Sequence, residues 1–160
     1  MDELRWRPVV EADQEEVLTA LSSWSDGPDL HELLPRFLFG HFSDTSLIVE
    51  DADGDVAGFI ISFVSQSRPE TGYLHLVWVS PERRLGGLAR EMYTRVFALL
   101  RGRGCTRVEA VTSPSNAASL VFHEHLGFTP VPGGQPAPTA GQAGTGSDPS
   151  QDRVTLERPL

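Results

Sequence analysis

The sequence predicts one mixed α/β domain spanning residues 1–160, and three observations carry that prediction. β-Branched and aromatic runs alternate with helical apolar stripes along most of the chain. A hydrophobic share of 39% over 160 residues supplies one core of ordinary size. An arginine- and glycine-rich turn, Arg83-Arg84-Leu85-Gly86-Gly87, joins an abruptly ended apolar strand to a long helix.

Residues 4–9 read as a first strand. Glu11-Ala12-Asp13 opens a helix whose stripe of Val17, Leu18 and Leu21 runs through Trp24 and ends at Asp26-Gly27-Pro28. A second helix is expected over residues 30–42, with Leu33, Leu34, Phe37, Leu38 and Phe42 inward and Pro35 splitting or shortening it. Residues 47–50 and 56–65 form a hairpin across Asp51-Ala52-Asp53-Gly54-Asp55, whose aspartates and glycine suit a turn. That turn lacks the length and closing glutamate of a calcium loop, so no metal is expected. Residues 73–79 make a buried strand that stops at a proline. Leu88, Met92, Val96, Leu99 and Leu100 then recur at helical spacing as far as Arg101-Gly102. A strand over residues 107–111 follows, and Ser113-Pro114-Ser115-Asn116 caps a short helix stopped by Gly127. Residues 132–152 shift to Gly, Pro, Ala, Thr, Ser and Gln, the composition of a flexible insertion. The alternating run at 154–158 is a final strand, so the insertion joins the last two strands; a disordered tail is the alternative. The order is β-α-α-β-β-β-α-β-α-β-β.

The turn carries the chemistry. Two glycines and Ala89 leave first-turn amides uncovered, and those amides have no partner inside the helix. The helix dipole and Arg83, Arg84 and Arg90 add positive character in a chain of net charge -9. The residues therefore suit an anion. Neither G-x-G-x-x-G nor G-K-[ST] is present, so this is not a dinucleotide fingerprint or a P-loop.

Arg84-x-x-Gly87-x-Ala89, preceded by Val-x-Pro, resembles the acyl-CoA motif of the GNAT superfamily of N-acyltransferases. Asn116-Ala117-Ala118-Ser119-Leu120-Val121-Phe122-His123-Glu124-His125-Leu126-Gly127-Phe128 resembles the superfamily's other hallmark, a helix that opens on asparagine and closes in Leu-Gly-Phe. The resemblance covers about residues 4–130. It implies a central mixed, mostly antiparallel sheet of six to seven strands with about four helices. It also implies acetyl transfer from acetyl-CoA to a primary amine of a small molecule or peptide, by direct attack on the thioester. By the same resemblance, Val77, Trp78 and Val79 pair with pantetheine. Arg84, Leu85, Gly86, Gly87, Leu88 and Ala89 hold the diphosphate, and Asn116, Phe122 and His123 complete the cofactor contacts. The Val79 amide would be the oxyanion donor.

His123 stands where many members carry a tyrosine placed to protonate the CoA sulfur. Histidine can take over that role near neutral pH, or serve as a hydrogen-bond partner outside turnover. If it is the acid, His123→Phe lowers turnover at least tenfold and leaves CoA affinity nearly unchanged. His75, of the same strand parity as Val77 and Val79, and Glu109 on the next strand are the candidate bases, each with the alternative of being a satisfied strand residue. By the same resemblance, Asp26, Asp29, His31 and Glu32 would line the acceptor side, where they attract a cation or merely cap a helix. The rival from another class is a catalytically silent acyl-CoA-binding module, and nucleotide binding at the same turn is a third reading.

The acidic balance disfavours nucleic acid as a partner. No apolar run reaches membrane-spanning length, and the first residues lack a signal-peptide pattern. With the single Cys105, this places the chain in the cytoplasm as an expectation. A homodimer is left open.

Overall fold

The computed structural model describes residues 3–24, 30–131 and 153–160. The expected stop at Asp26-Gly27-Pro28, the acceptor-side Asp26 and Asp29, and the insertion at 132–152 lie outside the described residues. One seven-stranded sheet runs in the order β1-β2-β3-β4-β5-β7-β6. Its strands are β1 (Arg5–Pro8), β2 (Leu47–Glu50), β3 (Val56–Val64), β4 (Thr71–Val79), β5 (Arg107–Thr112), β6 (Thr129–Pro130) and β7 (Val154–Pro159). Every neighbouring pair is antiparallel except β4 with β5. The helices are α1 (Asp13–Trp24), α2 (Arg36–His41), α3 (Leu88–Gly102) and α4 (Ala117–His125).

The helices divide between the two faces of the sheet. Val17 and Leu21 of α1 and Leu38 and Phe39 of α2 bury against Ile48, Phe59 and Ile61. On the other face, Met92, Tyr93, Val96 and Leu100 of α3 bury against Leu74, Val108 and Ala110. Gly72 permits the close approach of α3, because a Cβ there would stand 2.6 Å from Leu100 Cδ1.

Two details differ from the sequence expectation. Proline disfavours helix at the residue before it, so the second helix breaks at Pro35 into a single 3₁₀ turn, His31–Leu33, and the short α2. Phe37 consequently points outward at 56% exposure, its ring edge-on to Phe42. Leu99 sits at the margin of the α3 stripe and is 36% exposed, whereas Tyr93 and Phe97 are buried.

Arg7 clamps three elements together. Its guanidinium bonds both carboxylate oxygens of Asp13 at 2.8 Å and Glu50 Oε1 at 2.6 Å, joining β1, α1 and β2. Burial alone would raise the Asp13 carboxyl. The bonds from Arg7 and from the Val10 amide outweigh it and hold that group below its ordinary value.

The functional region is prepared by an irregularity in β4. Ile61 faces Leu76 and Ser62 faces Leu74, so His75 has no opposite number on β3 and forms a bulge. Pairing of β4 with β5 ends at Leu74↔Ala110, at the same level. Beyond it the two parallel strands separate, and β4 keeps a bare edge.

Candidate active site

The bare edge presents particular amides. Ser80 N–H donates to Ala57 O at 2.9 Å, which makes that pair a hydrogen-bonded one. Hydrogen-bonded and open pairs alternate in an antiparallel ladder, so Val79 opposite Gly58 and Val77 opposite Ile60 are open pairs. Their N–H and C=O groups therefore turn away from β3, into the gap where β5 has left. Trp78 has the opposite parity. Its peptide groups pair with β3 and its indole packs in the α1–α2 cluster, so both face away from the gap beside which the cofactor contact was expected.

After Val79 the chain makes one 3₁₀ turn, Pro81–Arg83, and Arg84 is extended. Leu85 and Gly87 both have positive φ, 67° and 84°. Positive φ on both sides of Gly86 makes this a tight turn, the kind of conformation in which anion nests form. Helix α3 has no side-chain N-cap, and its first turn closes with Glu91 N–H to Gly87 O at 3.0 Å. Among the described residues the amides of 85–90 have no backbone partner. Unpaired amides at a helix start need an external acceptor. Arg84, Leu85, Gly87, Leu88 and Ala89 line a cavity of about 290 Å³ there, with Arg83 and Arg90 adding charge. Val79 closes it from β4 and Phe122 from α4.

Leu85 holds its positive φ with a fully exposed side chain. A left-handed non-glycine residue costs about 1–2 kcal/mol, partly offset for glycine by its chain entropy. Leu85→Gly is therefore expected to leave the Tm unchanged or raise it by about 2 °C in thermal unfolding; a clear fall in Tm would contradict this account of the turn.

The candidate bases are both engaged. The bulge reverses the parity on which His75 was grouped with Val77 and Val79. Val77 and Val79 pack on the α3–α4 side, whereas Tyr73, stacked on Phe63, and His75 face the α2 side. There His75 Nε2–H donates to Leu33 O, because a carbonyl only accepts, which leaves the ring lone pair on Nδ1. Glu109 is 7% exposed and receives both guanidinium nitrogens of Arg68, at 2.7 and 3.0 Å. It is an ion-pair partner. Tyr73 pairs with it across the parallel ladder, and burial pushes the Tyr73 phenol above its ordinary value.

On α4, Asn116 Oδ1 accepts Ser119 N–H at 3.1 Å and so acts as the N-cap. The side chain α4 gives to the cavity is Phe122. His123, the next residue, is 6% exposed and lies beside Tyr93 in the core, not among the cavity-lining residues. Sequence reasoning passed over Tyr93. A tyrosine on the apolar stripe of α3 needs a partner for its hydroxyl, and that need was the available signal.

Comparison with known proteins follows the same lines. The family model for the acetyltransferase (GNAT) family matches residues 6–128. The chain is 33% identical over 90 residues to a mycothiol acetyltransferase of Beutenbergia cavernae, covering 56% of this chain and 30% of the relative. It is 36% identical over 86 residues to an L-2,4-diaminobutyric acid acetyltransferase of Chromohalobacter salexigens, covering 53% and 44%. The chain thus spans less than half the length of these curated relatives. Among solved structures, diaminobutyrate acetyltransferase from Paenibacillus lautus, in complex with L-2,4-diaminobutyric acid and coenzyme A, superposes with a TM-score of 0.74. Identity there is 25%, over 99% of this chain and 96% of that one. With the motif turn, the separated β4 and β5 strands and the matched model all falling on the same residues, the chain belongs to the GNAT family of acetyltransferases.

Proposed function

We propose that the protein transfers the acetyl group of acetyl-CoA to a primary amine of a small molecule. The observation that carries this reading is the run of amides at 85–90 without a backbone partner among the described residues, beside Arg84 and Arg90 and opening on the bare edge of β4. A diphosphate would be held by those amides, and an extended pantetheine would pair with the outward peptide groups of Val77 and Val79. Phe122 would cover it from α4. The uncharged amine attacks the thioester carbon, and a C–N bond forms as the oxygen becomes negative. An outward amide of β4, Val79 or Val77, stabilises that charge. The C–S bond then breaks, the nitrogen loses a proton, and the thiolate gains one. His75 Nδ1 is our candidate for the nitrogen's proton, because Nε2 is already spent on Leu33 O.

A small acceptor is favoured by the named substrate of the diaminobutyric acid relatives. No helix among the described residues is long and apolar enough to cross a membrane. We place the activity in the cytoplasm, where acetyl-CoA is available, with net charge -9 disfavouring a polyanionic partner. The silent-module reading is supported by one observation, the engagement of both candidate bases, His75 with Leu33 and Glu109 with Arg68. Thiol release from acetyl-CoA with a panel of diamines, diamino acids, aminoglycosides and peptide N-termini separates the two. Release with a small amine is the expected result; CoA binding with no release on any amine would establish the silent module.

A further inference from the structure

His123 occupies the place of the expected sulfur-side acid, but its ring is turned into the core. The rings of Tyr93, Phe122 and Phe128 surround it with centroids at 5.6, 5.7 and 5.1 Å. Its Nδ1 lies 2.7 Å from Ser119 O. A carbonyl only accepts, so Nδ1 carries the proton and Nε2 the lone pair. Tyr93 O–H donates to that lone pair at 2.9 Å. Both ring nitrogens are committed. Burial pushes the imidazole below its ordinary value, against a smaller opposing effect of Ser119, and pushes the Tyr93 phenol up. Ser119 Oγ extends the line to Thr112 Oγ1 at 2.9 Å, so one path of hydrogen bonds ties α3 to α4 and α4 to β5.

We infer that Tyr93 and His123 form a latch that sets α4 against α3 and thereby seats Phe122 in the wall of the cofactor cavity. His123 is then a positioning residue and does not protonate sulfur. The Phe122 ring stands 5.4 Å from that of Tyr93, so a shift of α4 that parts the latch also moves the wall. The inference rests on the acetyl-CoA reading of the cavity.

The test uses Tyr93→Phe, His123→Leu and the double variant of the full chain. Each single substitution strands one buried polar atom, whereas the double removes both partners, which can be nearly neutral. In each single variant the Kd for CoA is expected to rise about fivefold to twentyfold and the Tm to fall by roughly 3–6 °C. The kcat at saturating acetyl-CoA stays within about threefold of wild type, because no proton-transfer group is lost. In the double variant affinity and Tm return most of the way. A kcat lowered at least about tenfold in His123→Leu with CoA affinity intact, and not recovered in the double variant, would make His123 the acid and overturn the latch. If the wild-type protein binds no CoA, the functional reading fails instead. The latch is then judged by Tm alone, and a double variant no more stable than the weaker single one overturns it.

Discussion

Gly87→Val is expected to weaken CoA binding by about 30-fold, which corresponds to about 2 kcal/mol, while leaving the sheet intact. Gly87 has φ 84°, and a β-branched residue is a genuine outlier there. The turn must therefore reshape, which displaces the amides from 85 to 90. The substitution does not overfill the core, since a Cβ on Gly87 would have no atom within 4 Å. The stability loss is correspondingly small, about 1–2 kcal/mol of backbone strain. Calorimetric titration with CoA and thermal unfolding of the same samples separate the two effects. Unaltered affinity would remove the turn from the binding site.

Arg7→Met is expected to lower stability by about 2–4 kcal/mol in urea unfolding, somewhat below the value for a fully buried ion pair because Arg7 retains some solvent contact. Asp13 and Glu50 would be left with side-chain exposures of 5% and 12% and without their shared cation. The effect has a pH signature. The folded-state carboxyl of Asp13 is held below its ordinary value of 3.8, so its contribution is present above that pH and is lost as pH falls through the folded value. The difference between wild type and Arg7→Met should thus narrow as pH falls below about 4, because a protonated Asp13 no longer needs the guanidinium. A difference that is constant with pH would show that Arg7 acts by packing alone.

The order of strands and helices was legible in the residues because each element carries a local signal. The proline after Val79, the glycine pair before Leu88 and the asparagine at 116 are punctuation that the fold obeys. The turn at 84–89 was legible as a turn for the same reason, since Gly87 takes a positive φ that favours glycine. Side-chain roles were less so. A strand's two-residue period placed His75 beside Val77 and Val79, but one bulged residue inverts the register and no local pattern announces it. Glu109 looked available on its strand because its partner, Arg68, lies 41 positions away. The partner of His123 was hidden for the same reason: the hydroxyl bonded to its Nε2 is on another helix, 30 positions away. Trp78 was grouped with its neighbours by adjacency, whereas alternation sends its peptide groups and its indole elsewhere.

Backbone ¹H–¹⁵N NMR during titration observes directly whether the backbone amides of residues 85–90 bind the diphosphate of CoA. On adding CoA, the amide signals of Leu85, Gly86, Gly87, Leu88, Ala89 and Arg90 should shift strongly downfield as each gains an anionic acceptor, and pantetheine without phosphate should leave them in place. Saturation with CoA that shifts other parts of the chain and leaves these six signals unmoved would contradict the account.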